Sequence, residues 1–169
     1  TTEVSPPVAS DPSAFVAHAL PLKGVATAVN VTDGAGAKAH LSTLVACHFL
    51  LQNGIEPVLQ ITCRDRNRIA IQNDLLGALA LGMRNLLLLR GDDPTVGDQP
   101  DTKPVFDLDT RALLDMANQM RVAHRLPPGT EIQGPTDLFI GAADSPIDPP
   151  ADWNPQSLRA KLDAGANFV

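Results

Sequence analysis

Gly82-Met83-Arg84-Asn85-Leu86-Leu87-Leu88-Leu89-Arg90-Gly91-Asp92-Asp93-Pro94 decides how this chain folds. A glycine able to take left-handed backbone closes a helix, an unbroken apolar run follows, and a polar turn ends the run. An apolar run without alternation predicts a strand buried on both faces, as in a parallel sheet covered by helices. The unit recurs on either side. Gly54 precedes Ile55 and the run from Pro57 to Ile61, and the polar turn Thr62-Cys63-Arg64-Asp65-Arg66-Asn67-Arg68 follows. Gly24 precedes Val25-Ala26-Thr27-Ala28-Val29-Asn30-Val31, and Gly165 precedes Ala166-Asn167-Phe168-Val169. A spacing near 30 residues is the length of one strand–helix unit.

Helices fill the intervals. Asp11-Pro12 caps one that reaches about Leu20. A second runs from about Ala37 to Asn53, with Leu41, Leu44, Val45, His48 and Phe49 on one face. A third runs from about Asp65 to Leu81, with Ile69, Leu75, Leu76 and Leu79. A fourth runs from about Asp109 to Arg125, with Leu113, Met116, Ala117 and Met120, and Pro127-Pro128 stops it. Pro155 opens a fifth, with Leu158 and Leu162 one turn apart. Strands are expected near 2–5, 25–31, 57–62, 85–90, 137–141 and from 166. The fold class is therefore α/β: one partial (βα)8 TIM-barrel domain over 1–169, truncated to about five units plus the start of strand 6. A complete barrel needs about 250 residues. The structural alternative is a doubly wound sheet, which normally offers a Gly-rich dinucleotide turn. Neither G-x-G-x-x-G nor a Walker motif occurs.

The 169 residues are enough for one domain with a core. Net charge is -6, from 13 Lys+Arg against 19 Asp+Glu, which argues against nucleic acid and anionic membranes as partners. No apolar run approaches the roughly 20 residues of a membrane helix. Cys47 and Cys63 form no Cys-x-x-Cys, so no zinc or disulfide framework is indicated and a reducing cytoplasm is expected.

The polar groups at strand ends are the candidates for chemistry, because strand C-termini converge on one rim of a barrel. They are Glu3, then Thr32 and Asp33, then Gln60, Thr62 and Arg64, then Arg90, Gly91 and Asp92, then Ala142, Ala143 and Asp144. Glu3, in an apolar context, is either a general acid or a solvated acid. Asp92 could hold a polar ring edge or a metal, or act as a turn residue; Asp93-Pro94 suits a cap better. Asp93, Asp98 and Asp101 read as a solvated loop. Arg64, Arg66 and Arg68 could hold phosphate or carboxylate, while an exposed first helical turn capped by Asp65 is the plainer reading of Arg66 and Arg68. His48 and Trp153 read as packing residues, and His18, His40 and His124 as surface.

Together these runs resemble the methylenetetrahydrofolate reductase family. The matching words are Thr2-Glu3-Val4-Ser5-Pro6-Pro7, Val29-Asn30-Val31-Thr32-Asp33, Gln60-Ile61-Thr62-Cys63-Arg64-Asp65-Arg66-Asn67-Arg68, Asp74-Leu75-Leu76-Gly77, Arg90-Gly91-Asp92-Asp93-Pro94 and Lys161-Leu162-Asp163-Ala164-Gly165-Ala166-Asn167. The resemblance implies a (βα)8 barrel holding FAD. It implies hydride transfer from NAD(P)H, through flavin, to 5,10-methylenetetrahydrofolate. By the same resemblance Glu3 is the general acid, and Asp92 orients the pterin and tunes the flavin. Thr32, Gln60, Arg90, Gly91, Asp92, Phe106, Ala142, Ala143 and Lys161 are the implied cofactor contacts. Gln60 stands where some members have His, Phe106 where some have Tyr, and Gly141-Ala142-Ala143-Asp144-Ser145-Pro146 lacks a Tyr that some place at Asp144. No resident metal is implied. A homo-oligomer is expected of the full-length protein. The rivals are a pterin-binding methyl-transfer barrel without redox chemistry and a metal-dependent lyase using Glu3, Asp92 and Asp93. Residues 1–169 expressed alone are expected to be insoluble or molten and to hold no FAD.

Overall fold

A computed structural model describes residues 1–144, 150 and 152–169. Five strands, β1 (Thr2–Val4), β2 (Val29–Val31), β3 (Pro57–Thr62), β4 (Asn85–Leu89) and β5 (Phe139–Ala142), form one sheet in the order β1-β2-β3-β4-β5. Every neighbouring pair is parallel. The helices are α1 (Ser13–Ala19), α2 (Thr43–Gln52), α3 (Arg68–Ala80), α4 (Thr110–Ala123) and α5 (Gln156–Asp163). A strand order that never reverses, with crossovers of one hand, stacks every helix on the same side of the sheet. A doubly wound sheet reverses its order at a switch point; this one does not, and that alternative falls.

Val29, Val31, Leu59, Ile61, Leu86, Leu88, Ile140 and Ala142 point toward the helices and are buried. The opposite face is drier only in its centre. Val58, Gln60 and Thr62 are buried, yet Asn30, Asn85, Leu87 and Leu89 are half-buried and Phe139 is 50% exposed. The expectation of strands buried on both faces therefore holds for β3 alone, because nothing among the described residues forms an opposing wall over the rest.

Several boundaries differ from the pattern-based ones. The second strand begins at Val29; Val25 is exposed, and Ala26 donates its N–H to Leu22 O at the end of a short 3-10 turn. The second helix begins at Thr43, since Gly34 and Gly36 both take positive φ in the loop before it. Its buried residues are Thr43, Ala46, Cys47 and Leu50, not the expected face. Small side chains let α2 approach the sheet, while the larger ones lie to the side: Leu44 meets Gly77 of α3. On α3, Leu75 and Leu79 are buried as expected but Ile69 is exposed. The α4 face is as read. Asn67, not Asp65, caps α3, its side chain accepting from the N–H groups of Ile69 and Ala70. Trp153 is 53% exposed rather than packed. From residue 166 there is pairing but no regular strand: Asn167 N donates to Ile140 O and Ala142 N to Phe168 O. The ring of Phe168 stacks on Phe139 and lies over Gly141, where a Cβ would collide with it. Ser145 and Pro146 lie outside the described residues.

Candidate active site

Register brings the first candidate together. Glu3 pairs with Asn30, and Asn30 with Val58, so Glu3, Asn30, Val58 and Gln60 share the face turned away from the helices. The Glu3 carboxyl is exposed, and its Oε2 accepts from Asn30 Nδ2 at 2.7 Å and from Gln60 Nε2 at 3.3 Å. Gln60 is buried and its Oε1 accepts the Asp33 N–H at 3.4 Å, so both ends of its amide are engaged. Thr32 is buried beside them, its hydroxyl donating to Ser5 Oγ at 2.9 Å.

Asp33 is the anchor of the rim. Its carboxylate accepts from the Thr62 N–H and hydroxyl, from the Thr43 hydroxyl, and from both terminal nitrogens of Arg66, at 2.6 Å and 3.0 Å. Arg66 also pairs with Asp74 at 2.9 Å. Burial pushes the Asp33 carboxyl up, but the Arg66 guanidinium and the Thr62 donors outweigh it and hold it below the usual aspartate range. Burial holds Asp74 above that range. Arg66 is thus no exposed first-turn residue. It ties Asp74 of α3 to Asp33 at the end of β2, and Arg68 is taken by Asp107 at 2.8 Å. Arg64 is buried, gripping Asp65 with two nitrogens and donating to Gly34 O. Neither arginine pair was legible beforehand, because Asp33 and Arg66 stand 33 positions apart and no local pattern couples them.

The second candidate lies at the ends of β4 and β5. Gly91 takes φ +87, and a Cβ there would approach Thr62 Cβ at 3.0 Å and Arg64 Cβ at 3.2 Å, so only glycine lets the chain pass. Asp92 beside it is exposed. Asp93 accepts from Thr95 N–H and hydroxyl, the expected cap. The Arg90 guanidinium carbon sits over Phe106, 3.8 Å from the ring centroid. Phe106 thereby supports a cation, and one ring face is covered. Lys161 Nζ donates to Ala143 O at 2.7 Å and pairs with Asp144 at 3.5 Å. Ala142 is buried and Ala143 exposed. Arg90, Arg111 and Lys161 line one cavity of about 310 Å³ with Asp109 and Thr110 of the α4 N-terminus, and with Ser157 and Ala160 of α5. Arg111 had no distinguishing sequence signal: it sits in an ordinary first helical turn.

Cys63 is buried near Leu89 O and Asp109 O, and burial pushes its thiol up to about 11, which makes it a packing residue and not a nucleophile. Among the described residues, no three His, Cys, Asp or Glu side chains converge as a metal site, and no helix is long and apolar enough to cross a membrane.

Comparison with known proteins meets this geometry. The family described as methylenetetrahydrofolate reductase matches over residues 1–169. The chain belongs to the methylenetetrahydrofolate reductase family. A relative from Caenorhabditis elegans, named "Probable methylenetetrahydrofolate reductase (NADPH)", is 32% identical over 136 residues, which is 78% of this chain and 18% of that protein. The chain thus spans under a fifth of that relative's length. The words that carry the methylenetetrahydrofolate reductase resemblance hold both candidate chemistry and its scaffold. Asp33, Arg66 and Asp74 come from three separate words and meet in one ion network.

Proposed function

We propose that this chain is catalytic-domain sequence of a flavin-dependent methylenetetrahydrofolate reductase. It would reduce 5,10-methylenetetrahydrofolate to 5-methyltetrahydrofolate with NAD(P)H, as part of a (βα)8 barrel that closes over the exposed sheet face. The observation that carries this reading is the cavity where Arg90, Arg111 and Lys161 converge on the α4 N-terminus. Three cations from three elements, with a helix dipole behind them, suit a dinucleotide diphosphate. Its donor chemistry fits FAD, which when bound supplies the two-electron redox step.

The chain's own groups divide the remaining work. Arg90, steadied on Phe106, and Lys161, steadied by Ala143 O, would neutralise diphosphate charge. Gly91 keeps the rim low, so that a flat ring can approach Asp92. Thr32, Ala142 and Ala143 would complete the cofactor's contacts, and Gln60 would act at the same rim. Glu3 would hold the proton that opens the folate's five-membered ring, and Asp92 would orient the pterin. Cytoplasmic location and assembly into homo-oligomers belong to the same proposal.

The test uses the full-length protein. It should bind FAD, with the absorbance of an oxidised flavin, and couple NAD(P)H oxidation to methylenetetrahydrofolate. Glu3→Gln should slow the folate half-reaction by about 10²–10⁴, the usual general-acid contribution, while the pyridine-nucleotide half-reaction continues. Equal slowing of both in stopped flow would remove Glu3 from this role. A colourless protein that still binds the pterin would favour methyl transfer without redox chemistry.

A further inference from the structure

We propose that Asn30 and Gln60 are positioning residues that decide which oxygen of Glu3 delivers the proton: both amides bond Oε2, and Oε1 is left as the donor atom. This rests on Glu3 being the acid of the proposed reaction.

The geometry is one-sided. Asn30 Nδ2 lies 2.7 Å from Oε2 and Gln60 Nε2 lies 3.3 Å from the same atom. No described residue bonds Oε1. The Gln60 amide is oriented independently of Glu3, because its own oxygen accepts the Asp33 N–H; turning it would lose that bond and set an oxygen against a carboxylate. Asn30 carries a second sign. Its Oδ1 is buried without a hydrogen-bond partner. Buried side-chain oxygens are seldom left so, and the omission costs free energy. Turning the amide would bring that oxygen against Oε2, two acceptors face to face. The charge-assisted bond to Glu3 is therefore what holds Asn30 in its orientation.

Two N–H donors on Oε2 engage its lone pairs, so a proton bound to this carboxyl resides on Oε1. In the transfer the O–H bond at Oε1 breaks and an N–H bond forms on the folate ring nitrogen. The ring C–N bond breaks with its electron pair remaining on that nitrogen, and the negative charge left on the carboxyl is met at Oε2 by the two amides. The amides thus stabilise the product side of the step. They touch Glu3 and are assigned no contact with the folate.

The experiment is a double-mutant cycle on the folate half-reaction of the full-length flavoprotein, followed by stopped flow. Asn30→Leu should slow that half-reaction about 10- to 100-fold, the scale of losing the position of a catalytic group. In a Glu3→Gln background the same change should have under about a twofold effect, because its partner's proton is already gone. Gln60→Leu should behave alike. Asn30→Ala removes the donor without adding charge or bulk, so it carries the same expectation if the leucine variant does not fold. If Glu3→Gln slows the half-reaction but Asn30→Leu acts equally in both backgrounds, or not at all, the clamp is wrong and the acid assignment stands. If Glu3→Gln leaves the half-reaction at its normal rate, the acid assignment fails and the clamp with it.

Discussion

Asp33 shows how one carboxylate can do structural work at the rim of the sheet. It receives donors from β3, from α2 and from Arg66, and it is buried. Its folded value lies below the ordinary 3.8, so the stability it contributes is complete above that value and is lost as pH falls through the folded one. Asp33→Asn should cost about 3 kcal/mol at neutral pH, the low end for breaking a buried ion pair. The difference from wild type should shrink once the pH has fallen beneath the ordinary 3.8 and on through the native carboxylate's lower value, where it takes up its proton. Denaturant titrations of the full-length protein at several pH values measure this; a pH-independent difference would remove Asp33 from acid stability. Asp92 makes a contrast, since it is exposed at the end of β4. Asp92→Asn should leave folding intact, make the flavin easier to reduce and weaken folate binding. A flavin potential that does not move would place Asp92 away from the cofactor. At this scale the sequence was partly legible. Arg90, Gly91 and Asp92 could be placed at a strand end because they follow the run Leu86 to Leu89, whereas the role expected of Glu3 came from the resemblance. That Asn30 partners Glu3 could not be read, because it depends on strand register, and that the carboxylate held by Arg66 is Asp33 could not, because the two lie in loops 33 positions apart.

Among the elements, the order of strands and helices and the glycine joints between them were the most legible, while the starts of β2 and α2 were not. Gly54, Gly82 and Gly165 all take the left-handed backbone that a helix-to-strand joint requires. The α4 face was readable because one side of that helix meets the sheet and the other meets water. On α2 the pattern misled. Its apolar residues surround it on several sides, and the buried residues are mostly small ones, Thr43, Ala46 and Cys47, with Leu50. Asn67 was missed as a cap because Asp65 and Asn67 are both suitable types two positions apart. Its two accepted bonds give a direct check: Asn67→Ala should lower stability by about 1 kcal/mol, whereas Asp65→Ala should not act through capping at all. Equilibrium denaturation of the two variants separates them, and equal losses would show that the cap is shared.

At the scale of the sheet, the described residues cover one face and leave the other largely open. Phe139, Phe168, Val58, Asn85 and Thr1 border a cavity of about 500 Å³ on the open side. The residues 1–169, expressed alone, should therefore self-associate or collapse to a molten state. Several hundred Å² of apolar surface left in water forgoes on the order of 10 kcal/mol, comparable with a domain's whole stability. Size-exclusion chromatography and binding of a hydrophobic dye read this out. A monomeric unit that melts cooperatively and binds FAD would show that the open face needs no opposing wall.

The unreversed strand order also sets how the chain can assemble in time. Thr2 meets Val29, Val29 meets Pro57 and Val58 meets Asn85, so each of the first three pairings closes a loop of about 28 residues. The fourth, Asn85 with Phe139, closes one about twice as long, at an added entropic cost of only about 0.6 kcal/mol. Every strand finds its partner in the unit made just before it. A ribosome emitting this chain releases each segment after its docking surface already exists, so the sheet can grow by addition at one edge during synthesis.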